Sequence, residues 1–141
     1  MLQLPVPSSP ALNTPLAAGY LAAYAEAQGL GELAHITILP RAIADHAGDA
    51  ALVDAIVARA PNLLGLSLYT WNSERSLAVA LRAKQRLPRM RVVVGGPELQ
   101  PDNHWLLAHP AVDFAVLGEG EQSFVELLRV LTAPEDQGHR I

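Results

Sequence analysis

Two apolar runs in this chain stop on glycine and carboxylate together. In VVVGGPE the run ends at Gly95, Gly96, Pro97 and Glu98; in VDFAVLGEGE it ends at Gly118, Glu119, Gly120 and Glu121. Glycine after a strand reaches positive φ and lets another molecule approach the backbone, so these positions can offer amide N–H groups to phosphate, ribose or amide oxygens. Gly65 and Ser67 are small where a buried strand would carry Leu or Val. Beside Gly95 and Gly96 they would leave a deep slot between two strands. Tight turns and helix packing would use the same glycines equally well. Tyr69 and Trp71 either lie against a flat ligand or cover the sheet edge. Glu98, Glu119 and Glu121 have the chemistry of general acids or bases, but no partner nucleophile accompanies them, and acids at 119 and 121 also suit a helix N-terminus.

Several other chemistries are excluded or disfavoured. The chain has no cysteine, so it holds no disulfide, thiolate metal site or cysteine-bound iron–sulfur cluster of its own. His35, His46, His104, His109 and His139 are scattered, with no pair at helical ligand spacing. GGPELQ and GEGEQS do not form the GxGxxG dinucleotide fingerprint, and no phosphate-loop lysine pattern occurs. A receiver domain would need acids where PVPSSP and LYTWN stand, and a lysine near GEGEQ. The net charge of −4 and the absence of a Lys/Arg cluster argue against nucleic acid as a partner. The opening MLQLPVPSSPALNTP lacks a positive start and is broken by prolines, and no apolar stretch nears the ~20 residues of a membrane span. A soluble, untargeted cytoplasmic chain without a membrane partner is expected.

The elements that must position those residues alternate. MLQLPVP reads as a first strand, and Thr14 with Pro15 opens a helix over LAAGYLAAYAEAQ that Gly29 closes. In that helix Leu16, Tyr20, Ala23, Tyr24 and Ala27 fall on one apolar face. LAHITILP is the second strand; Asp49 then caps AALVDAIVARA. NLLGLSLYT, nearly all apolar, is a third strand covered on both faces, followed by ERSLAVALRAKQRL with Asn72 or Ser73 as cap. RMRVVVGG is the fourth strand, PDNHWLLAHP a short helical turn with Trp105 as its packing anchor, AVDFAVLG the fifth strand and EQSFVELLRVLT the last helix. The pattern predicts one α/β domain over 1–131, a Rossmann-like five-stranded parallel sheet in the flavodoxin-like order 2-1-3-4-5 flanked by helices, with 132–141 a polar tail or start of a linker. In such sheets ligands sit at the carboxyl ends of the strands, where the glycines fall.

From about Leu2 to Leu131 the chain resembles the N-terminal cobalamin-binding domain of B12-dependent radical SAM proteins. The residues that carry the likeness are GLSLYTWN, VVVGGPE, VDFAVLGEGE with its following SFVELL, and PLAAGYLAAYAE after a proline-rich first loop. The resemblance implies a domain that holds cobalamin at the strand ends, its dimethylbenzimidazole tail buried and its corrin facing a radical SAM barrel. It implies that Gly65, Ser67, Leu68, Tyr69, Thr70, Trp71 and Asn72 form one side of the site. Gly95, Gly96, Pro97 and Glu98 form the other, with Gly118, Glu119, Gly120 and Glu121 near the nucleotide tail.

Two departures shape the expectation. The first loop, PVPSSPALNTP, lacks the DxHxxG motif whose histidine ligates cobalt in many cobalamin proteins, and ADHAGD follows the second strand with the wrong spacing. A base-off cobalamin without a protein histidine ligand is therefore expected. Glu98 stands where family members often carry histidine. The CxxxCxxC of the barrel is absent, so S-adenosylmethionine and a [4Fe-4S] cluster belong only to a partner barrel, in cis or in trans. No catalysis is expected of this chain alone. The contrasting reading is a cofactor-free docking module of the same fold.

Overall fold

Alternation along RVVVG sends Val92 and Val94 to one face of a sheet and Val93 to the other, and this split divides the interior in two. The computed structural model describes residues 1–134. Strands β1 (Leu63–Ser67), β2 (Arg91–Gly95) and β3 (Phe114–Ala115) form a parallel sheet in the order β1-β2-β3. β1 and β2 pair from Leu63↔Arg91 to Ser67↔Gly95, and β3 adds Val93↔Phe114 and Val94↔Ala115. Helices α3 (Asp49–Arg59) and α4 (Ser73–Arg86) pack together over one face. Leu52, Ile56, Leu77 and Ala80 bury there with Leu64, Leu66, Val92 and Val94. On the other face α1 (Leu16–Ala27) packs with α6 (Glu121–Thr132), where Ala25, Phe124, Val125 and Leu128 meet Val93. Short helices α2 (Arg41–Ala44) and α5 (His104–Leu107) and a 3-10 turn (Pro10–Leu12) lie in the connections. No described helix is long and apolar enough to cross a membrane.

Among the described residues the expected five strands are three. Residues 1–4 do lie beside β1, through Leu2 N–H to Gly65 O at 2.8 Å and Ser67 N–H to Leu2 O at 3.1 Å. Beyond them, Leu39 N–H reaches Met1 O at 2.8 Å and the Met1 amino group reaches Thr37 O at 2.6 Å. Neither segment extends its ladder. Beside β1 the ladder would go on through Leu4, Ser67 O and Tyr69 N–H, but the Asn72 side chain takes the Leu4 and Ser67 carbonyls and the Tyr69 N–H, so the run ends there. The polar tail expected from 132 lies, from 135 on, outside the described residues.

Helix α1 turns the opposite way from the expected one. Leu16, Tyr20, Ala23, Tyr24 and Ala27 face outward, whereas Ala18 and Ala25 are buried and Leu21 packs inward. Small residues let α1 approach its neighbours closely, and tyrosines would hold it off. The caps also differ. Pro15, not Thr14, holds the N-cap of α1, and Gly48 holds that of α3, leaving Asp49 as its first residue in an ion pair with Arg75 at 2.7 Å.

Asp113 ties α4 to the sheet. Its Oδ2 accepts from Lys84 Nζ of α4 and from the Val92 N–H of β2, both at 2.7 Å. Burial pushes its pKa up, but the Lys84 and Val92 hydrogen bonds and the charges of Lys84 and Arg91 outweigh it, so the carboxyl sits below its ordinary value. A pKa lowered on folding adds stability that is complete above the unfolded value and fades as the pH falls through the folded one. Asp113→Asn should therefore cost about 1–2 kcal/mol in urea denaturation at pH 7. The gap from the unmodified chain should shrink below about pH 4.

Candidate functional site

Asn72 is buried to 1% exposure and joins three stretches of backbone at the carboxyl ends of the strands. Its Nδ2 donates to Leu4 O at 3.0 Å and Ser67 O at 3.2 Å, and its Oδ1 accepts from Tyr69 N–H at 2.9 Å. It stands at the N-cap position of α4 but spends its side chain on the strand ends instead of the helix. Ser73 Oγ donates to Tyr69 O at 2.7 Å and closes the same turn. The turn stacks Tyr69 on Trp71, with ring centres 4.6 Å apart and planes 12° from parallel. Trp71 remains 48% exposed.

The glycines separate into two roles. Gly96 has φ +113°, and a Cβ there would lie 2.8 Å from Leu68 N. Its backbone crosses the end of β1, where Leu68 N–H donates to Gly95 O at 2.7 Å and Leu68 O accepts from Glu98 N–H at 3.3 Å. Gly96 is thus required by the fold itself. By contrast, Gly118 has φ +73° with open space around it, and Gly95 has only Val116 O near, at 3.9 Å. A Cβ at Gly65 would meet the flexible Met1 Cγ at 3.3 Å and Val93 Cγ1 at 3.8 Å.

A cavity of about 240 Å³ lies over Gly65 and Val93. It is not a slot between strands, because Gly65 and Val93 are themselves partners in the continuous β1–β2 ladder. The space lies instead on the sheet face that α1 and α6 cover, where Gly65 supplies no side chain to fill it. Among the residues singled out from sequence, Gly65, Ser67, Tyr69, Gly95, Gly96 and Pro97 line one part of the wall. Gly118, Glu119, Gly120 and Glu121 line another, where α6 begins without a side-chain cap.

The remaining candidates stand elsewhere. Leu68 is fully buried in the α3/α4 core, and Asn72 serves the backbone as described. Thr70 Oγ1 donates to Glu98 Oε2 at 2.9 Å on the rim, and Trp71 lines a neighbouring cavity. Reading the sequence missed Met1, Ala17, Leu21, Val93, Val116 and Phe124, which also line the wall, with Leu66 and Val94. The inward face of α1 would have disclosed Ala17 and Leu21. Desolvation, with the charge of Arg59 adding to it, holds the Met1 amino group below its ordinary pKa. His35, His46, His104 and His109 line neither cavity, and His139 lies outside the described residues. Trp105 is half exposed and meets His109 edge-on at 5.9 Å, so it anchors little of its short helix.

Comparison with known proteins bears on this geometry. The B12 binding domain family matches residues 6–128. The chain is 41% identical over 123 residues, 81% of its length, to the 2-(S-pantetheinyl)-carbapenam-3-carboxylate methyltransferase of Streptantibioticus cattleyicolor. It is 44% identical over 79 residues, 55% of its length, to the cobalamin-dependent radical SAM methyltransferase TokK of Streptomyces tokunonensis. The matches span 16% and 11% of those two proteins, so the chain corresponds to a small part of each. The chain belongs to the B12-binding domain family.

The two glycine roles differ in a measurable way. Gly96→Ala should lower stability by about 2–3 kcal/mol, because the new Cβ is strained at positive φ and strikes the Leu68 backbone. Gly95→Ala should change it by less than about 1 kcal/mol. Thermal denaturation of the two variants side by side checks the contrast.

Proposed function

We propose that, as a member of the B12-binding domain family, the chain holds a base-off cobalamin at the carboxyl ends of its strands and presents it to a radical SAM methyltransferase barrel in cis or in trans. The binding domain occupies residues 1–131, with 132–141 leading out of it. The observation that carries this reading is the cavity over Gly65. Its 240 Å³ falls below the roughly 300–1,000 Å³ of clefts that enclose a whole drug-sized ligand, so it suits one arm of a larger one. Leu21, Val93, Val116 and Phe124 give that arm apolar walls fit for a benzimidazole ring. The uncapped start of α6 leaves first-turn N–H groups for the phosphate of the nucleotide tail.

The exposed face of the Tyr69–Trp71 pair offers a flat surface to the corrin outside the cavity. When bound, cobalamin supplies a cobalt that carries a methyl group; this chain's residues bind and orient it. The placement of the described histidines away from both cavities supports a cofactor without a protein imidazole on cobalt. A barrel partner that brings S-adenosylmethionine and the [4Fe-4S] cluster is supported by the name of TokK and by the greater length of both relatives. This chain has no cysteine with which to hold a cluster.

Titration with hydroxocobalamin, followed by desalting, should leave about one chromophore per chain with a base-off visible spectrum. A folded chain that loses all colour, alone and with a barrel partner, would refute the reading. Gly65→Val suits a strand, and its Cβ meets the Met1 side chain at 3.3 Å and Val93 Cγ1 at an ordinary 3.8 Å, so the fold should persist. It fills the cavity, and cobalamin affinity should fall by about 10–100-fold.

A further inference from the structure

The wall over Gly65 changes character along its depth. Ser67, Tyr69, Glu119 and Glu121 are, among the described residues, the only members of it whose side chains carry oxygen or nitrogen. All four stand toward the carboxyl ends of the strands: Ser67 two residues and about 7 Å beyond Gly65 on the same face of β1, Tyr69 in the turn, and the two acids where α6 begins. The inner end is hydrocarbon. Leu21, Val93, Val116 and Phe124 meet there in the core beneath α1 and α6, and the Met1 Cγ lies 3.3 Å from where a Cβ of residue 65 would stand. The backbone at that end is already engaged. Val93 pairs with Gly65 on one side and Phe114 on the other, while Gly65 O takes the Leu2 N–H at 2.8 Å. Met1 directs its amino group to Thr37 O at 2.6 Å and its carbonyl to Leu39 N–H at 2.8 Å, which leaves its side chain to the cavity.

A ring that enters such a space leads with one edge. With the phosphate of the tail at the start of α6, the five-membered ring that carries the ribose lies toward the mouth and the six-membered ring reaches the inner end. Dimethylbenzimidazole presents only carbon on that leading edge, two methyl groups included. Adenine, which takes the same place in other cobamides and is of similar size, presents an amino group and two ring nitrogens. Each of these would give up its water and find no partner, which is how a site turns away a ligand that otherwise fits. Resting on the cobalamin reading above, we infer that this inner wall makes the domain selective among cobamides, accepting benzimidazole and phenol bases and rejecting purines.

The test measures, by visible titration of the full chain, the affinity for three cobamides that share one corrin: hydroxocobalamin, its adenine counterpart and its p-cresol counterpart. Adenine holds cobalt more weakly than dimethylbenzimidazole does, so the cost of releasing the base favours the adenine form, and a preference against it must come from the protein. The adenine form should nevertheless bind at least about fivefold more weakly than hydroxocobalamin, and the p-cresol form, whose leading edge is hydrocarbon, more tightly than the adenine form. In Gly65→Val, where the filled cavity admits no ring, the preference for hydroxocobalamin over the adenine form should disappear. The series on the unmodified chain decides the matter even if Gly65→Val does not fold. An adenine form that binds within about fivefold of hydroxocobalamin, or more tightly, would overturn the selectivity while leaving cobalamin binding in place. So would a p-cresol form bound no better than the adenine form, or a preference that survives Gly65→Val. Failure of hydroxocobalamin itself to bind would overturn both readings.

Discussion

One buried amide governs the shape of the strand ends. Asn72 satisfies the Leu4 and Ser67 carbonyls and the Tyr69 N–H together. Each of those backbone groups would otherwise face a poorly hydrated interior, at a cost of about 1–3 kcal/mol apiece. No shorter or apolar side chain meets two acceptors and one donor at once. Because the same residue begins α4, the turn it folds is fixed relative to the α3/α4 layer. The stacked Tyr69–Trp71 pair is therefore presented on a rigid support, between the first loop on one side and the β1–β2 edge on the other.

The two faces of the sheet are filled unequally, and function follows from the inequality. Toward α3 and α4, β1 and β2 carry Leu64, Leu66, Val92 and Val94, Ala115 of β3 packs beside them, and the core closes. Toward α1 and α6, Gly65 withholds a side chain at the place where Val93, Leu21 and Phe124 would have closed around it. Ladder pairing leaves no gap between the strands, so the cavity over Gly65 lies above this face and not within the sheet. Gly96 contributes differently. It lines the wall as well, but what requires glycine there is the close crossing of two strand ends against the Leu68 backbone.

Much of this was legible in the sequence, and the failures have definite physical sources. The stripes of α3, α4 and α6 follow helical spacing with polar residues between them, which fixes their phase; Leu52, Ile56, Leu77, Ala80, Phe124 and Leu128 are buried accordingly. Helix α1 is apolar almost all round, so periodicity gives no phase, and side-chain bulk points the wrong way where close packing calls for alanine. Strand-like composition at the N-terminus could not reveal that the Asn72 side chain, distant in sequence, would take the backbone groups with which the ladder beside β1 would continue. The glycine and carboxylate cluster marked the right end of the sheet. Which glycine serves the fold and which borders the cavity depends on Leu68, Met1 and Val93, partners distant in sequence. Gln3 gave no signal at all, because its hydrogen bond to Asn13, itself held by Asp45, exists only once the fold brings these residues together.

The central claim is that the cavity over Gly65 receives the nucleotide tail of cobalamin. It is tested most directly by comparing the affinity of the chain for cobalamin with its affinity for cobinamide, which keeps the corrin and lacks the tail. If the cavity houses the tail, cobinamide should bind at least about 100-fold more weakly, since the buried ring and the phosphate contacts at α6 are both lost. Equal affinities for the two would contradict the account.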